Sequence, residues 1–277
     1  MPSRISSLIE RKDQSRHNRL QNVIPILATL LAYSHKTKTV YLCTDTVAQL
    51  HRLDGEGQHF CGYRNMQMLL SSVQSTGTEI ETGPSNPGLI ARARRATVTD
   101  LQSLIEAAWT AGHNAHGRVE TGGIVNTRKH VGTSEAEALF TYLGISTTAR
   151  VFSGKSCWKE LLDYVEAHFS NQSTASGVES GSAEGIVNVR MTGGSPIFLQ
   201  RPRHSLTIVG LEVAPSGCRR LIVFDPGYSP PASLMFARDR ADRKVKEGKE
   251  ERVLTFYRRG ERYLRRFDGF ETLHVNS

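Results

Sequence analysis

A strand-rich stretch in the last third of the chain limits the possible folds most. The segments SPIFLQ, HSLTIVGLEV and RRLIVFDP are rich in isoleucine, leucine, valine and phenylalanine, which favour strands. The turn residues of APSGC separate the second segment from the third, so these two segments are predicted to form a hairpin. Antiparallel strands return to the place where they start, and the open ends of this hairpin, at His204 and Asp225, are therefore expected to be neighbours.

Helical patterns dominate the first half of the chain. The apolar run from Val23 to Tyr33 predicts a core helix, and TKTVYLCT alternates like a strand. Helices are also predicted in TVTDLQSLIEAAWTAG and TSEAEALFTYLG. A further helix should begin at Cys61, because apolar residues follow it at helical spacing, at Met66, Leu69, Leu70 and Val73. The two halves together predict an α+β fold with helices packed on a mostly antiparallel sheet.

Cysteine spacing and hydropathy limit the cellular compartments in which the protein is expected. The cysteines form no CxxC pair, which argues against a zinc ribbon or a disulfide framework: Cys43, Cys61, Cys157 and Cys218. His113 and His116 have HxxH spacing, but their turn offers no third ligand, so no metal site is predicted. The most apolar run contains a proline and is too short for a bilayer, and the chain begins without the pattern of a secretory signal. We expect a monomer in the cytoplasm or nucleus, without membrane association.

The charge of the chain leaves two interpretations open. The formal net charge is +8 and the sequence pI is about 9.5, which is compatible with an acidic partner such as nucleic acid. Acidic residues are interspersed among the basic ones near the carboxyl end, as on a solvated helix face. The pattern favours a solvated surface over a dedicated nucleic-acid site.

Cys61, His204 and Asp225 form a candidate catalytic triad. A thiol at a helix amino terminus is stabilised as thiolate by the unsatisfied N–H groups and by a nearby histidinium. A carboxylate beside His204 would hold the imidazole in one tautomer. His204 follows Cys61 by roughly 140 residues, as in papain-like proteases. A buried packing role is the alternative for Cys61 alone, but the three residues together favour catalysis.

Several motifs resemble one family of proteases. CGYRNMQMLLSS, PIFLQRPRHSLTIVGLE and LIVFDPG are similar to the nucleophile, histidine and aspartate motifs of ZUFSP-type deubiquitinases, within the papain-like superfamily of proteases specific for the ubiquitin-fold modifier. The likeness runs from about Cys43 to Val275. It implies a papain-like fold with Cys61 as nucleophile, His204 as general base and then acid, and Asp225 as the residue that orients His204. It implies no metal or cofactor.

The resemblance also implies a domain layout and a substrate. Residues 1–36 are expected to form a basic helical extension and residues 37–277 a single catalytic domain, with a flexible insertion at 170–185 that is rich in Ser, Gly, Ala and Glu. Asp-Pro-Gly at 225–227 replaces the Asp-Pro-His of modifier-specific relatives, which favours the ubiquitin-cleaving branch. The expected reaction is hydrolysis of isopeptide bonds after the carboxyl-terminal glycine of ubiquitin, within polyubiquitin. The alternatives are a protease for another ubiquitin-like modifier and a catalytically weak module that binds ubiquitin or nucleic acid.

The oxyanion hole has two candidate residues. Related modifier proteases use a tyrosine twelve residues before the cysteine, and Gln49 occupies that position here. A glutamine amide can donate the hydrogen bond that an oxyanion requires. Gln58 is nearer to Cys61 in sequence and is the competing candidate. Either glutamine is alternatively a surface polar residue.

Three residues are candidates for substrate binding. Glu135 matches an acidic position of the family and is predicted to contact the arginine in the Leu-Arg-Gly-Gly terminus of ubiquitin. Asn114 stands where relatives carry a second acidic residue, and Arg64 belongs to the Cys-Gly-Tyr-Arg-Asn motif. The alternative for Glu135 is a solvated helix glutamate.

Overall fold

The fold is given by a computed structural model, which describes residues 1–73, 87–172, 177–180, 187–231, 234 and 250–276. Within these ranges helices α1 to α10 span Ser3–Lys12, Val23–Ala32, Cys61–Ser72, Pro87–Ala93, Val98–Thr110, Ala115–Thr121, Thr133–Tyr142, Cys157–Asn171, Glu250–Tyr257 and Glu261–Leu264. Strands β1 to β11 span Arg19–Leu20, Thr39–Leu42, Gln49–Leu50, Thr147–Ser153, Gly177–Ser180, Val187–Met191, Ile197–Arg201, His204–Val213, Arg219–Phe224, Arg258–Gly260 and Gly269–Val275.

One large sheet organises the molecule. Its strands lie in the order β4, β11, β7, β8, β2, β6 and β5. Strands β7 and β2 pair with successive parts of one edge of β8, whereas β9 pairs with the opposite edge and β10 pairs with β9. In this sheet β2 and β6 run parallel, and the remaining described pairs are antiparallel. The predicted hairpin is confirmed: β8 and β9 pair from Thr207 opposite Phe224 to Val213 opposite Arg219. The α+β class with a mostly antiparallel sheet is therefore confirmed.

Helices cover both faces of the sheet. Successive side chains of a strand point to opposite faces, so Ile197 and Leu199 of β7 lie in one core while Phe198 lies in the other. The first core includes the buried faces of α2, α8 and α9, and the second includes those of α1, α3, α5 and α7. The helix that begins with Cys61 thus packs against a mostly antiparallel sheet, in agreement with the α+β class that the sequence predicts.

Local sequence signals explain where the predicted helices begin. At α5 the hydroxyl of Thr97 accepts a hydrogen bond from the Asp100 N–H at 3.2 Å, and the Asp100 carboxylate accepts one from the Thr97 N–H at 2.8 Å. This reciprocal capping box satisfies two N–H groups that a helix start leaves unpaired. Pro25 lies in the first turn of α2, where a missing N–H costs nothing. In the part of the chain that the structure describes, no helix is long and apolar enough to cross a membrane.

The amino-terminal segment differs from its prediction. Ile5 and Ile9 of α1 are buried in the same core as α3 and α5, and α2 contributes Ile24 and Leu27 to the other core. Residues 1–36 are therefore an integral part of both cores and not a separate extension. Two arginines and one lysine make α1 basic, and its apolar stripe is short, so the sequence alone did not place it in the core.

The insertion predicted at 170–185 falls only partly within the described residues. Residues 173–176 and 181–186 lie outside them. Helix α8 continues to Asn171, and β5 pairs antiparallel with β6, with Gly177 opposite Arg190. Four residues of the predicted insertion therefore form an edge strand, whose backbone groups pair with those of β6.

Candidate active site

Cys61 is the first residue of α3, as the apolar spacing predicts. Phe60 before it is buried and meets the ring of Tyr63 edge-on, with centroids 5.9 Å apart, which anchors the start of the helix. Gly62 is pressed against the loop before α7: a Cβ atom there would lie 2.2 Å from the carbonyl oxygen of Val131. The Cys-Gly pair is thus a packing requirement of this chain, and it places the partly buried thiol at the helix amino terminus.

His204 and Asp225 are neighbours, as the hairpin predicts. His204 begins β8 and Asp225 directly follows β9, and the imidazole Nε2 lies 2.8 Å from Asp225 Oδ1. Asp225 Oδ1 also accepts the N–H of Gly227 at 2.9 Å, and its Oδ2 accepts Arg259 Nη2 at 2.9 Å. Burial acts to raise the pKa of the Asp225 carboxyl, but the hydrogen bond and charge of His204, with these two donors, hold the pKa below its usual value.

The thiol and the imidazole favour each other's charged forms. Burial alone would raise the pKa of Cys61, but hydrogen bonds with His204 and Ser205 outweigh it and lower the pKa below its ordinary value. Burial alone would lower the pKa of His204, whereas hydrogen bonds to Asp225 and Cys61 raise it to about 9. Nε2 faces Asp225, so Nδ1 is the ring nitrogen left for the thiol. The arrangement supports a thiolate and imidazolium pair.

Hydrogen bonds of the Asn65 side chain connect α3 to β8. One turn after Cys61, its Nδ2 donates to the Cys61 carbonyl at 2.8 Å and to Ser205 Oγ at 2.7 Å, and its Oδ1 accepts Thr207 Oγ1 at 2.7 Å. Asn65, Ser205 and Thr207 are all buried. The amide therefore fixes the distance between the helix that carries Cys61 and the strand that carries His204. Sequence analysis missed this role, although a polar residue four positions after Cys61 lies on the same helical face.

Arg259 is a second residue that sequence reasoning missed. It lies on β10 and reaches Asp225 because β10 pairs with β9. Its guanidinium also lies 5.4 Å from the ring centroid of Tyr263. No short-range signal marks it, since it belongs to a basic run in which most members are solvated.

The two oxyanion candidates occupy different places. Gln49 is buried on β3, and its Oε1 accepts the hydroxyl of Tyr257 at 3.1 Å, which orients the amide. Gln58 is exposed and lines the same cleft as Cys61. The participation of either glutamine in an oxyanion hole stays a prediction.

The Glu135 side chain is buried and hydrogen-bonded rather than solvated. Glu135 is the third residue of α7, with Oε2 accepting the Gly132 N–H at 2.7 Å and Oε1 accepting Ser134 Oγ at 3.2 Å. Gln200 Oε1, a buried atom without a hydrogen-bond partner among the described residues, approaches the same glycine. These acceptors would suit a guanidinium, so arginine binding by Glu135 stays a prediction with a second acceptor beside it.

The other two substrate candidates are placed differently from each other. Asn114 is exposed, has a left-handed φ of 51° and precedes α6, so its role stays a prediction. The structure contradicts the prediction that Arg64 binds the substrate. The Arg64 side chain is 1% exposed and pairs with Asp13 and with Glu56 at 2.6 Å, so its guanidinium is engaged by buried carboxylates rather than available to a substrate. The motif gave no indication that the guanidinium points into the protein.

His113 and His116 have the HxxH spacing of metal ligands, but no third ligand is expected in their turn. His116 forms an exposed ion pair with Glu120 at 3.2 Å, and His113 lies against Tyr142. Among the described residues no group of three His, Cys, Asp or Glu side chains is placed to hold a metal ion.

A cleft of about 780 Å³ opens beside Cys61, His204 and Asp225. Its walls come from the loop before α3, the turn between β7 and β8, the residues after β9, and α9 and α10. Tyr228 and Phe256 are exposed apolar side chains on these walls. The cleft is lined by Arg52, Glu56, Gly57, Gln58, Phe60, Cys61, Arg64, Arg201, Arg203, His204, Asp225, Pro226, Gly227, Tyr228, Thr255, Phe256, Arg258, Arg259, Tyr263 and Arg266.

A comparison with family models decides the classification. The model described as Peptidase family C78 matches residues 36–273, which is most of the chain. The chain belongs to peptidase family C78. The thiol, imidazole and carboxylate lie at the three motifs on which the resemblance to ZUFSP-type proteases depends, and that resemblance is confirmed.

Several known proteins are similar to this chain over part of their length. The Zinc finger-containing ubiquitin peptidase 1 of Mus musculus is 28% identical over 210 residues, covering 73% of this chain and 33% of that protein. The Ubiquitin carboxyl-terminal hydrolase mug105 of Schizosaccharomyces pombe is 31% identical over 172 residues, covering 60% of this chain and 59% of that protein. The chain thus spans about a third of the length of the zinc finger-containing relatives. The crystal structure of UfSP from C. elegans matches with a TM-score of 0.43 and 12% identity, covering 86% of this chain and 34% of that one.

Proposed function

We propose that this chain is a thiol-dependent deubiquitinase that hydrolyses isopeptide bonds after the carboxyl-terminal glycine of ubiquitin. The observation that carries the proposal is the placement of Cys61, His204 and Asp225 within a chain of peptidase family C78. The names of the relatives, ubiquitin peptidase and ubiquitin carboxyl-terminal hydrolase, support ubiquitin as the modifier.

The proposed reaction is acyl transfer through Cys61. The thiolate attacks the carbonyl carbon of the modifier's last glycine, a C–S bond forms, and the carbonyl oxygen becomes an oxyanion. Protonated His204 gives its proton to the lysine nitrogen as the C–N bond breaks, and the lysine amine leaves. Neutral His204 then takes a proton from water, which cleaves the thioester and regenerates the thiolate. Asp225 stabilises the imidazolium in both steps.

Two features favour ubiquitin over another ubiquitin-like modifier. Asp225-Pro226-Gly227 contains no histidine, and the Gly227 N–H donates to Asp225 instead, so His204 supplies the imidazole from β8. Glu135 Oε2 and Gln200 Oε1 provide oxygen acceptors for an arginine in the modifier's tail. A protease for a different modifier is the second candidate, since the same fold and triad would serve it.

We further propose that the enzyme acts as a monomer on polyubiquitin in the cytoplasm or nucleus. The cysteines Cys43, Cys61, Cys157 and Cys218 are all free, which fits a reducing compartment. Cleavage within polyubiquitin requires ubiquitin on both sides of the scissile bond, so a digestion panel over all linkages would measure it.

Activity probes test the proposed modifier. Ubiquitin with a carboxyl-terminal alkyne should form a covalent adduct with the wild-type chain, and the matched probe of the ubiquitin-fold modifier should not. Cys61→Ala should abolish the adduct, whereas Cys218→Ala should retain it because Cys218 is an exposed thiol outside the cleft. Equal labelling of Cys61→Ala, or labelling only by the other modifier's probe, would refute the proposal.

The pH dependence of hydrolysis follows from the paired ionisations. Activity should rise with pH as Cys61, whose pKa is lowered, loses its proton. It should fall near pH 9, because the raised pKa of His204 is about 9 and a neutral imidazole cannot protonate the leaving amine. The measurement is kcat/KM for ubiquitin-aminocoumarin between pH 5 and 10. A profile that keeps rising through pH 10 would contradict the assignment of His204 as the acid.

A further inference from the structure

Among the described residues, four arginines that line the cleft have no carboxylate within ion-pair distance. We call Arg52, Arg201, Arg203 and Arg266 the arginine arm. The other arginines that line the cleft are neutralised, by contrast: Arg64 by Asp13 and Glu56, Arg258 by Glu212 and Glu251, and Arg259 by Asp225.

Two members of the arginine arm are held in place by aromatic rings. The Arg201 guanidinium lies 4.6 Å from the ring centroid of Phe267, and its Nε donates to the Tyr263 hydroxyl at 2.8 Å. The Arg266 guanidinium lies 4.6 Å from the centroid of Tyr263. These stacks orient the charges before any ligand arrives, which lowers the entropy that binding would lose. The guanidinium groups also cover these two rings against stacking by a nucleic-acid base, whereas Tyr228 and Phe256 in the same cleft are exposed.

Arg203 is kept at a position that favours glycine. It is exposed, it lies in the two-residue turn between β7 and β8, and its φ is 66°. A side chain is strained at this φ, and glycine would relieve the strain. The arginine is adjacent to His204, so its charge lies at the edge of the reacting groups. A strained, exposed and unpaired cation next to the catalytic histidine suggests a ligand for that cation.

The arginine arm is the wrong surface for the modifier's tail. That tail carries an arginine, which the arm would repel, whereas Glu135 and Gln200 offer it oxygen acceptors. Gln200 and Arg201 are successive residues of β7, so their side chains point to opposite faces of the strand. The Gln200 acceptor and the Arg201 guanidinium therefore lie on different faces of β7, and neither Glu135 nor Gln200 lines the cleft of the arginine arm. The cleft is left for the other half of the substrate, the segment that carries the modified lysine.

We propose that the arginine arm binds acidic residues next to the modified lysine, so that the enzyme prefers conjugates whose acceptor lysine lies in an acidic segment. This proposal rests on the proposed function, because it assigns the leaving-group side of the same site. The lysine in an isopeptide bond is neutral, so the arm does not repel it. Acidic neighbours would complement the four charges.

Three ubiquitin substrates test the preference. Two are ubiquitin joined through its last glycine to the lysine of an otherwise identical peptide, flanked by glutamates in one and by glutamines in the other. The third is ubiquitin-aminocoumarin, whose small leaving group does not reach the arm. We expect kcat/KM for the glutamate peptide to exceed that for the glutamine peptide by about tenfold at low salt, as a few partly exposed ion pairs allow. The ratio should approach one at 0.5 M salt.

Variants of the arm provide the matched comparison. Arg203→Glu combined with Arg266→Glu should invert the glutamate-to-glutamine ratio. Arg203→Gly should lower the ratio and leave the melting temperature unchanged or raised, because it removes backbone strain. Arg4→Glu makes the same kind of charge reversal at one position on the exposed face of α1 and should leave the ratio at its wild-type value.

The outcomes separate this proposal from the proposed function. Failure to hydrolyse ubiquitin-aminocoumarin would overturn the proposed function itself. Hydrolysis of that reporter with equal rates for the two peptides would overturn only the role of the arm. Equal peptide rates together with inhibition by a 20-nucleotide single-stranded DNA, lost in the double variant, would overturn it and assign the arm to nucleic acid. A wild-type ratio in the double variant would also contradict the proposal.

Discussion

At the scale of single residues, Asn65 joins the helix that begins with Cys61 to the strand that begins with His204. Asn65→Ala would leave the buried hydroxyls of Ser205 and Thr207 and the Cys61 carbonyl without their partner. The unfolding free energy should fall by about 2–4 kcal/mol. Because Cys61 and His204 lose their common support, kcat/KM should fall by about 10- to 100-fold. Hydrolysis of ubiquitin-aminocoumarin and urea unfolding measure the two effects.

The pH dependence of Cys61 alkylation distinguishes positioning from simple stability. In Asn65→Ala the rate should turn upward at a higher pH than in the wild type, since the hydrogen bonds that lower the pKa of the thiol are loosened. Thr207→Val is the control: it breaks the Thr207 bond to Asn65 but leaves both donations from Asn65 Nδ2. A wild-type alkylation profile in Asn65→Ala would show that Asn65 contributes to stability and does not position Cys61.

The triad could be predicted at this scale, but its surroundings could not. Cys61, His204 and Asp225 follow from a helix start and one hairpin, two features that neighbouring residues specify. Arg259 reaches Asp225 through the pairing of β10 with β9, which no local pattern specifies. The motif makes Arg64 a substrate-binding candidate, because sequence does not show which side of α3 faces buried carboxylates.

At the scale of elements, Asp13 joins three helices. It follows α1, its Oδ2 accepts the Val98 N–H at the start of α5 at 2.8 Å, and its Oδ1 contacts Arg64 of α3. Burial acts to raise the pKa of Asp13, but the Arg64 charge and several hydrogen bonds lower it. The carboxylate is therefore ionised, and it holds the amino-terminal helix to the helix that begins with Cys61.

Asp13→Ala should be strongly destabilising, because it removes one carboxylate from a buried arginine and several acceptors from buried donors. We expect the unfolding free energy to fall by about 3–5 kcal/mol. Amide exchange in α1 and in the first turn of α5 should accelerate most. Glu10→Ala on the exposed face of α1 is the matched control and should change the free energy by less than about 0.5 kcal/mol. A change below 1 kcal/mol in Asp13→Ala would show that α1 is only loosely attached.

Elements were predictable where the pattern was long. The helices after Val23, Cys61, Thr97 and Thr133 and the β8–β9 hairpin have the expected positions, since periodicity and capping specify them. The weak stripe of α1 and the short strand β5 were not predicted as parts of the fold. Both are stabilised by contacts or strand pairing with residues distant in sequence, and local sequence patterns do not show such contacts.

At the scale of the whole molecule, a pair of buried histidines ties α8 to the sheet. His168 and His274 have ring centroids 4.4 Å apart. His274 Nδ1 lies 2.8 Å from the Tyr164 hydroxyl, and His168 Nε2 lies 2.9 Å from the Ser195 carbonyl oxygen. Burial lowers the pKa of His168, and burial with the charges of His168 and Arg150 lowers the pKa of His274 to about 4. Both rings are therefore neutral in the folded protein near neutral pH.

This pair should make the fold sensitive to acid. In the unfolded chain a histidine gains its proton near pH 6.5, whereas folded His274 resists protonation until about pH 4. The unfolded state thus binds more protons, and the unfolding free energy should fall as the pH drops from 6.5 towards 4. Allowing for solvent screening, His274 should cost about 1 kcal/mol of stability at pH 5.

His274→Gln should flatten this dependence, and His17→Gln, at an exposed position, should retain it. Urea unfolding at pH 7.5 and pH 5 measures the difference, and an equal loss in wild type and His274→Gln would assign the acid sensitivity to other groups.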